Sequence, residues 1–168
     1  SNEGDCYNRE HIIPQSIFNK KTPMVSDIHH VVPSDGKVNG LRSNYPFGKV
    51  SATDYKHKSK NGTLVGNSIS PGYGGYVAEP INEFKGDVAR MVFYFATRYK
   101  NQLNGFDSNN ILTKGTNFGI QQWQLNTLLL WHIQDPVSQV EIDKNNASYN
   151  YQNNRNQYRA WESNRNGK

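Results

Sequence analysis

Apolar side chains keep two different rhythms along this chain. Between Glu83 and Leu103, Val88, Met91, Val92, Phe95 and Tyr99 recur at helical spacing along one face, which predicts a core helix ended by Asn104-Gly105. A second helix is expected over Phe118–Trp131, with Leu125, Leu128, Leu129 and Trp131 as its apolar contacts and Asp135-Pro136 as its stop. A third is expected over Ser138–Tyr151. Nearer the start the pattern is extended. Tyr7–Ile13 reads as a short strand closed by Pro14, and Met24–Val32 as a second extended piece closed by Pro33. Ser34 and Asp35 are good N-cap residues for a short helix carrying Lys37, Val38, Asn39, Leu41 and Arg42. From Tyr45 to Tyr76, prolines and glycines punctuate short extended pieces, and Lys56-His57-Lys58-Ser59-Lys60 before Asn61-Gly62 suits a hairpin or loop. The Asn- and Arg-rich end reads as an irregular surface tail.

Strand, strand, short helix, then longer helices give an α+β chain, with no internal repeat or flexible linker. At 168 residues it is the size of one domain, able to bury a core without staples, so a single domain over 1–168 is expected. Hydrophobic residues are only 35%, yet 12% are aromatic and ten are Tyr, a content at odds with disorder. The net charge of +5 suits a polyanionic partner such as nucleic acid or an anionic surface. Charge alone leaves open a soluble domain with a basic bias, just as the Lys56–Lys60 run is either a solvated face or a phosphate contact. Cys6 is the only cysteine, which excludes an internal disulfide and a cysteine metal cluster. No apolar run reaches the ~18 residues of a membrane span. Ser1 opens no basic, apolar leader, and a native upstream segment is expected to be missing.

The chemistry concentrates in Glu10-His11-Ile12-Ile13-Pro14-Gln15-Ser16, an acid beside a histidine at the close of an extended segment. Strand neighbours point to opposite faces, so these two side chains divide their work. Glu10 offers a carboxylate and Asn39 a neutral amide oxygen, a donor set suited to a hard divalent cation that keeps several waters. An imidazole titrates close to neutral pH, which makes His11 the candidate general base. Arg42 lies three residues beyond Asn39, on a neighbouring part of the helix surface, and could meet a phosphate near such a cation. His29 and His30 diverge along an extended segment and lack a cysteine partner, so they are expected to support the site rather than bind zinc. Arg90, inside the core helix, is expected either to pair with an acid such as Asp87 or to reach into the cleft, with the structural, supporting role favoured. Lys37 and Arg155 are further candidates for nucleic-acid contact.

Glu10-His11-Ile12-Ile13-Pro14-Gln15, then Asp27-Ile28-His29-His30, then Val38-Asn39-Gly40-Leu41-Arg42-Ser43-Asn44 resemble bacterial endonuclease I, the secreted or periplasmic non-specific nucleases. Glu79-Pro80 with Lys85-Gly86-Asp87-Val88-Ala89-Arg90, Trp131-His132 with Asp135-Pro136-Val137-Ser138, and Gln152-Asn153-Asn154-Arg155-Asn156 extend the likeness over nearly the whole chain, in order. The first motif also looks like the HNH nucleases. The resemblance implies a ββα-metal (His-Me finger) core with additional helices, His11 as general base, and Glu10 and Asn39 as ligands of one Mg²⁺, with Mn²⁺ or Ca²⁺ able to substitute in binding. It implies endonucleolytic cleavage of DNA and also RNA, with little sequence preference, leaving 5′-phosphate ends, outside a bacterial cell or in its periplasm. The chain is expected to act as a monomer. Some relatives carry a cysteine-rich insertion between the first strand and the Asp-Ile-His segment, with an arginine that assists at the phosphate. This chain has a short loop there, and Arg42 is taken as the substitute. The frequent Gly-Asn-Arg-Asn-Pro is Asn153-Asn154-Arg155-Asn156-Gln157 here. Two rival readings stay open: a basic nucleic-acid-binding module without turnover, and a sequence-specific HNH enzyme.

Overall fold

The computed structural model describes residues 2–160 and has the mixed α+β content that the sequence predicts. β1 (Tyr7–His11) pairs antiparallel with β2 (Val31–Asp35), placing Glu10 opposite Val32 and His11 opposite Val31. α1 (Gly36–Arg42) follows β2 without a loop. Asp35 is both the last residue of the strand and the cap of the helix, its Oδ1 accepting from the backbone N–H of Lys37 at 2.9 Å and of Val38 at 3.0 Å. The short helix is thus where Ser34-Asp35 predicted it.

The second strand is not. Met24–Ser26 is a 3-10 turn, and the strand runs through Pro33, which lies opposite Arg9. A two-stranded sheet leaves one edge of each strand unpaired, so a proline can sit inside β2 without removing a ladder bond. The lysine-rich segment forms the hairpin of β3 (His57–Lys58) and β4 (Leu64–Asn67), which continues to β5 (Tyr76–Glu79) in a three-stranded antiparallel sheet.

Directly after β1 the chain enters the interior, burying Ile12, Ile13, Ile17 and Phe18 against α2 (Lys85–Arg98). Every residue of α2 from Val88 to Ala96 is buried, the mark of a helix enclosed on all sides. α3 (Gln122–Gln134) packs along it, and α4 (Gln139–Gln152) follows. The predicted helices over 83–103 and 118–131 shrink or shift. Leu103 belongs to a separate 3-10 turn, and Phe118 has a left-handed backbone, φ 57°, that no α-helix accommodates. The tail also needs correction: Asn156 and Arg159 are buried. Asn156 exchanges hydrogen bonds with Asn145 of α4 and donates from Nδ2 to the Arg90 carbonyl at 3.1 Å, so this segment is docked rather than loose. The last part of the expected tail, 161–168, lies outside the described residues. Among the described residues no helix is long and apolar enough to cross a membrane.

Candidate active site

Alternation along β1 decides which side chains meet. Asn8 and Glu10 share one face of the strand and turn toward α1, while His11 takes the other face. Glu10 is buried, at 5% exposure, which a carboxylate tolerates only with a partner. Its Oε1 accepts from Arg42 Nη1 at 2.6 Å. Its Oε2 is buried and has no hydrogen-bond partner. Burial pushes the Glu10 carboxyl above its ordinary range, and the adjacent guanidinium draws it down by less than that.

Asn39 stands across from Glu10 on α1, and the two line one small cleft of about 90 Å³ with Val32, Val38 and Thr63. Its Nδ2 donates to Asn8 Oδ1 at 2.6 Å and to the Arg9 carbonyl at 3.3 Å. The amide is thereby oriented, with Oδ1 the atom left for a ligand. A larger apolar groove of about 270 Å³ lies between Phe93, Phe118, Leu129 and Tyr158, but none of Glu10, His11, Asn39 or Arg42 lines it. Size therefore does not locate the chemistry.

His11 is held through one ring nitrogen. Nε2 lies 2.9 Å from the Val25 carbonyl oxygen. A carbonyl can only accept, so Nε2 carries a proton, and Nδ1 is buried with no protein partner. His29 and His30 share that arrangement, their Nε2 atoms donating to the carbonyls of Asn154 at 3.0 Å and Met24 at 2.7 Å. What distinguishes His11 is its place in the chain, next to Glu10; its ring lies on the other face of β1 and does not line the cleft that Glu10 and Asn39 share. His30 packs edge-on to it, with ring centroids 5.8 Å apart, and burial pulls the His30 pKa down to about 4, so this neighbour is neutral near pH 7. His30 thus packs against His11, whereas the His29 ring lies against Tyr94, with centroids 4.8 Å apart.

The loop that carries the Val25 carbonyl is anchored by Asp27. Its carboxylate accepts from Tyr99 Oη at 2.6 Å, Tyr94 Oη at 2.9 Å, Gln152 Nε2 at 2.9 Å and the His29 backbone N–H at 3.1 Å. Burial would raise the Asp27 pKa, but donors led by Gln152 and Tyr99 outweigh it and hold the group below the usual carboxylate range.

Arg42 corrects an expectation. It is buried, and its donors are already engaged: Nη1 to Glu10 and the His11 carbonyl (2.8 Å), Nη2 to the Ile12 carbonyl (2.7 Å), Nε to the Tyr45 carbonyl (3.0 Å). The guanidinium lies over the Phe47 ring, 4.5 Å from its centroid. Sequence spacing put Arg42 close to Asn39 on the helix but could not show that its fork is turned to Glu10 and the backbone after β1. Lys37 is exposed on α1, two residues before Asn39. Arg90 is wholly buried and pairs chiefly with Glu141, Nε to Oε1 at 2.8 Å and Nη2 to Oε2 at 2.7 Å; the expected Asp87 stands farther off at 3.7 Å. Arg155 contacts Asn145, Asn146 and Tyr149, all on α4. Asn8 and the Val25 carbonyl were missed. Asn8 was open to discovery, two residues before Glu10 on the same strand face; a backbone carbonyl leaves no mark in a sequence.

The residues fit a hard divalent cation. Glu10 Oε2 is an orphaned buried anion, Asn39 contributes a neutral oxygen, and among the described residues no group of three or more His, Cys, Asp or Glu could hold a metal. Two oxygen donors without a protein cage suit an ion that retains several waters, as Mg²⁺ does, better than zinc.

Residues 1–160 match the family model for Endonuclease I. The chain is 36% identical over 156 residues to an extracellular ribonuclease of Bacillus amyloliquefaciens, covering 90% of this chain and 50% of that protein. It is 35% identical over 161 residues to an extracellular ribonuclease of Bacillus subtilis (strain 168), covering 94% and 51%. It is 24% identical over 129 residues to Endonuclease-1 of Buchnera aphidicola subsp. Baizongia pistaciae, covering 74% and 51%. The chain therefore spans about half the length of the curated relatives it matches. With its strand-borne Glu10-His11 pair and Asn39 on the helix that follows the second strand, the chain belongs to the Endonuclease I family.

Proposed function

We propose that this chain is the catalytic unit of a metal-dependent endonuclease that hydrolyses phosphodiester bonds, with β1, β2 and α1 as a ββα-metal core. The observation that carries the reading is the free oxygen of Glu10: a buried carboxylate with one oxygen on Arg42 and the other on nothing, one residue from His11 and across the cleft from Asn39. A buried acceptor left without a partner costs ~1–3 kcal/mol, a cost removed once a ligand fills the position.

In this reading Glu10 and Asn39 hold one divalent cation, Mg²⁺ by donor type. Bound there, the cation supplies charge neutralisation on the scissile phosphate and on the departing oxygen. His11, fixed in the Nε2–H tautomer by Val25, takes a proton from the attacking water at Nδ1. Asn8 keeps the Asn39 amide from rotating, and Arg42 keeps Glu10 aimed. Lys37 and the lysines of the β3–β4 hairpin favour a polyanionic substrate. The names of the Bacillus relatives support RNA as a substrate and an extracellular place of action, and that of the Buchnera relative supports an endonucleolytic mode. DNA and RNA cleavage with little sequence preference, by a monomer, fits a site whose groups address phosphate rather than base edges.

Incubation with supercoiled plasmid, and separately with a structured RNA, tests the proposal. Cleavage should appear with Mg²⁺, stop with chelator, and fall by at least about 10²-fold in His11→Ala, the usual contribution of a positioned base. Equal nicking by wild type and His11→Ala would remove His11 from the mechanism. Salt-sensitive binding with no metal-dependent cleavage would instead favour a binding module, and discrete product bands a sequence-specific enzyme.

A further inference from the structure

Arg42 is bound in a way that neither a surface ion pair nor a substrate contact requires. One guanidinium, reaching from the last residue of α1, holds a side-chain oxygen of Glu10 and the backbone carbonyls of His11 and Ile12, all at 2.6–2.8 Å, while Nε ties it back to Tyr45. We propose that Arg42 is a positioning residue that sets the cation ligand and the general base in register with each other.

Two geometric facts support this, and both rest on the reading of Glu10, Asn39 and His11 given above. First, α1 supplies Asn39 directly and Glu10 through Arg42, so the two cation ligands are referred to one short helix. Nη1 fixes Oε1 and leaves Oε2, buried and without a protein partner, as the second oxygen of a residue that lines the cleft with Asn39. Second, the same Nη1 holds the peptide carbonyl of His11, whose ring is held independently by the Val25 carbonyl. Backbone and side chain of the base are therefore pinned separately. β1 ends at His11; one more backbone bond, from Ile12 N–H to the His30 carbonyl at 2.9 Å, follows it, while the guanidinium takes the carbonyls of His11 and Ile12. Only a planar fork reaches all three acceptors. An ammonium keeps the charge but is a single point with no fixed directions.

That difference makes Arg42→Lys the discriminating variant, because a lysine still serves a phosphate well but cannot reproduce the fork. Cleavage of supercoiled plasmid is followed against Mg²⁺ concentration, against plasmid concentration and against salt. If Arg42 positions the pair, Arg42→Lys raises the Mg²⁺ concentration for half-maximal rate by about 10- to 100-fold and lowers kcat over a similar range, the usual cost of losing a group that orients a metal ligand. KM for plasmid and the salt slope then stay near wild type. Unchanged Mg²⁺ activation with a raised KM and a shallower salt slope would overturn the proposal and make Arg42 a phosphate contact. A wild type without metal-dependent cleavage would defeat the proposed function itself, a separate result. Should Arg42→Lys fail to fold, as judged by near-UV circular dichroism, the wild type still decides. The Arg42 Nε–H resonance should remain protected from exchange and unshifted when a non-hydrolysable oligonucleotide saturates the protein. A large shift on binding would contradict a positioning role.

Discussion

At the residue scale, a strand sends the adjacent Glu10 and His11 in opposite directions, and different neighbours then restrain each. Glu10 is aimed by Arg42, Asn39 by Asn8, and His11 by the Val25 carbonyl. The sequence offered Glu10, His11 and Asn39 as candidates, since acid, base and amide oxygen are the donors such chemistry needs. It did not reveal the restraints, because a hydrogen bond to a backbone carbonyl leaves no trace in residue identity, and Arg42 reads equally well as facing in or out. The Asn39 amide gives a prediction that separates charge from orientation. Asn39→Asp keeps an oxygen and adds a negative charge, yet loses the Nδ2 donor to Asn8 and Arg9 and sets a carboxylate against the Asn8 Oδ1. If orientation governs, the Mg²⁺ requirement rises by about 10-fold or more despite the added charge. A lower requirement in a Mg²⁺ titration of cleavage would show that charge governs instead.

At the element scale, the helices were legible where burial follows a helical period and blurred where the chain leaves that period. The enclosed middle of α2 stood out because its apolar residues repeat along the helix, whereas Phe118 gives no sign in the sequence that its backbone turns left-handed. β2 was misplaced because Pro33 reads as a stop, although an edge position tolerates it. The Asn- and Arg-rich end was read as surface, yet Asn156 and Arg159 are buried against α2 and α4. Glu141 explains how that end is fastened. It completes the capping box of α4 with Ser138, and its carboxylate also takes both Arg90 donors and stands 3.4 Å from Arg159 Nε. The two roles predict two sizes of effect in urea unfolding. Ser138→Ala removes a cap alone, about 1 kcal/mol. Glu141→Gln leaves two buried guanidinium groups without their anion and should cost more, about 3–5 kcal/mol. Equal losses would mean that the cap, not the ion pair, dominates at Glu141.

At the scale of the whole molecule, the candidate site is the rim of a core that reaches it through Asp27, His29 and His30. Asp27 ties the loop behind His11 to Tyr94 of α2, to Tyr99 at the C-cap of that helix and to Gln152 of α4, so packing far from the cleft fixes the Val25 carbonyl. This connection gives a pH dependence. Burial holds the His30 pKa at about 4 in the folded chain, below the ordinary imidazole value of about 6.5. The unfolded chain therefore binds a proton in that interval that the folded chain refuses. The His30 contribution is fully present above pH ~6.5 and is lost as pH falls toward 4, by about 3 kcal/mol. Unfolding free energies from pH 7 to 4 should fall more steeply for wild type than for His30→Gln by that amount, and parallel slopes would show that His30 takes up its proton without unfolding the site. The central claim, that Glu10 and Asn39 share one cation beside His11, is tested most directly by anomalous diffraction from crystals soaked in Mn²⁺. The account predicts one peak about 2.1 Å from both Glu10 Oε2 and Asn39 Oδ1, the distance expected for a hard cation with oxygen ligands. A well-ordered cleft with no peak there, or a peak bound only by other residues, would contradict it.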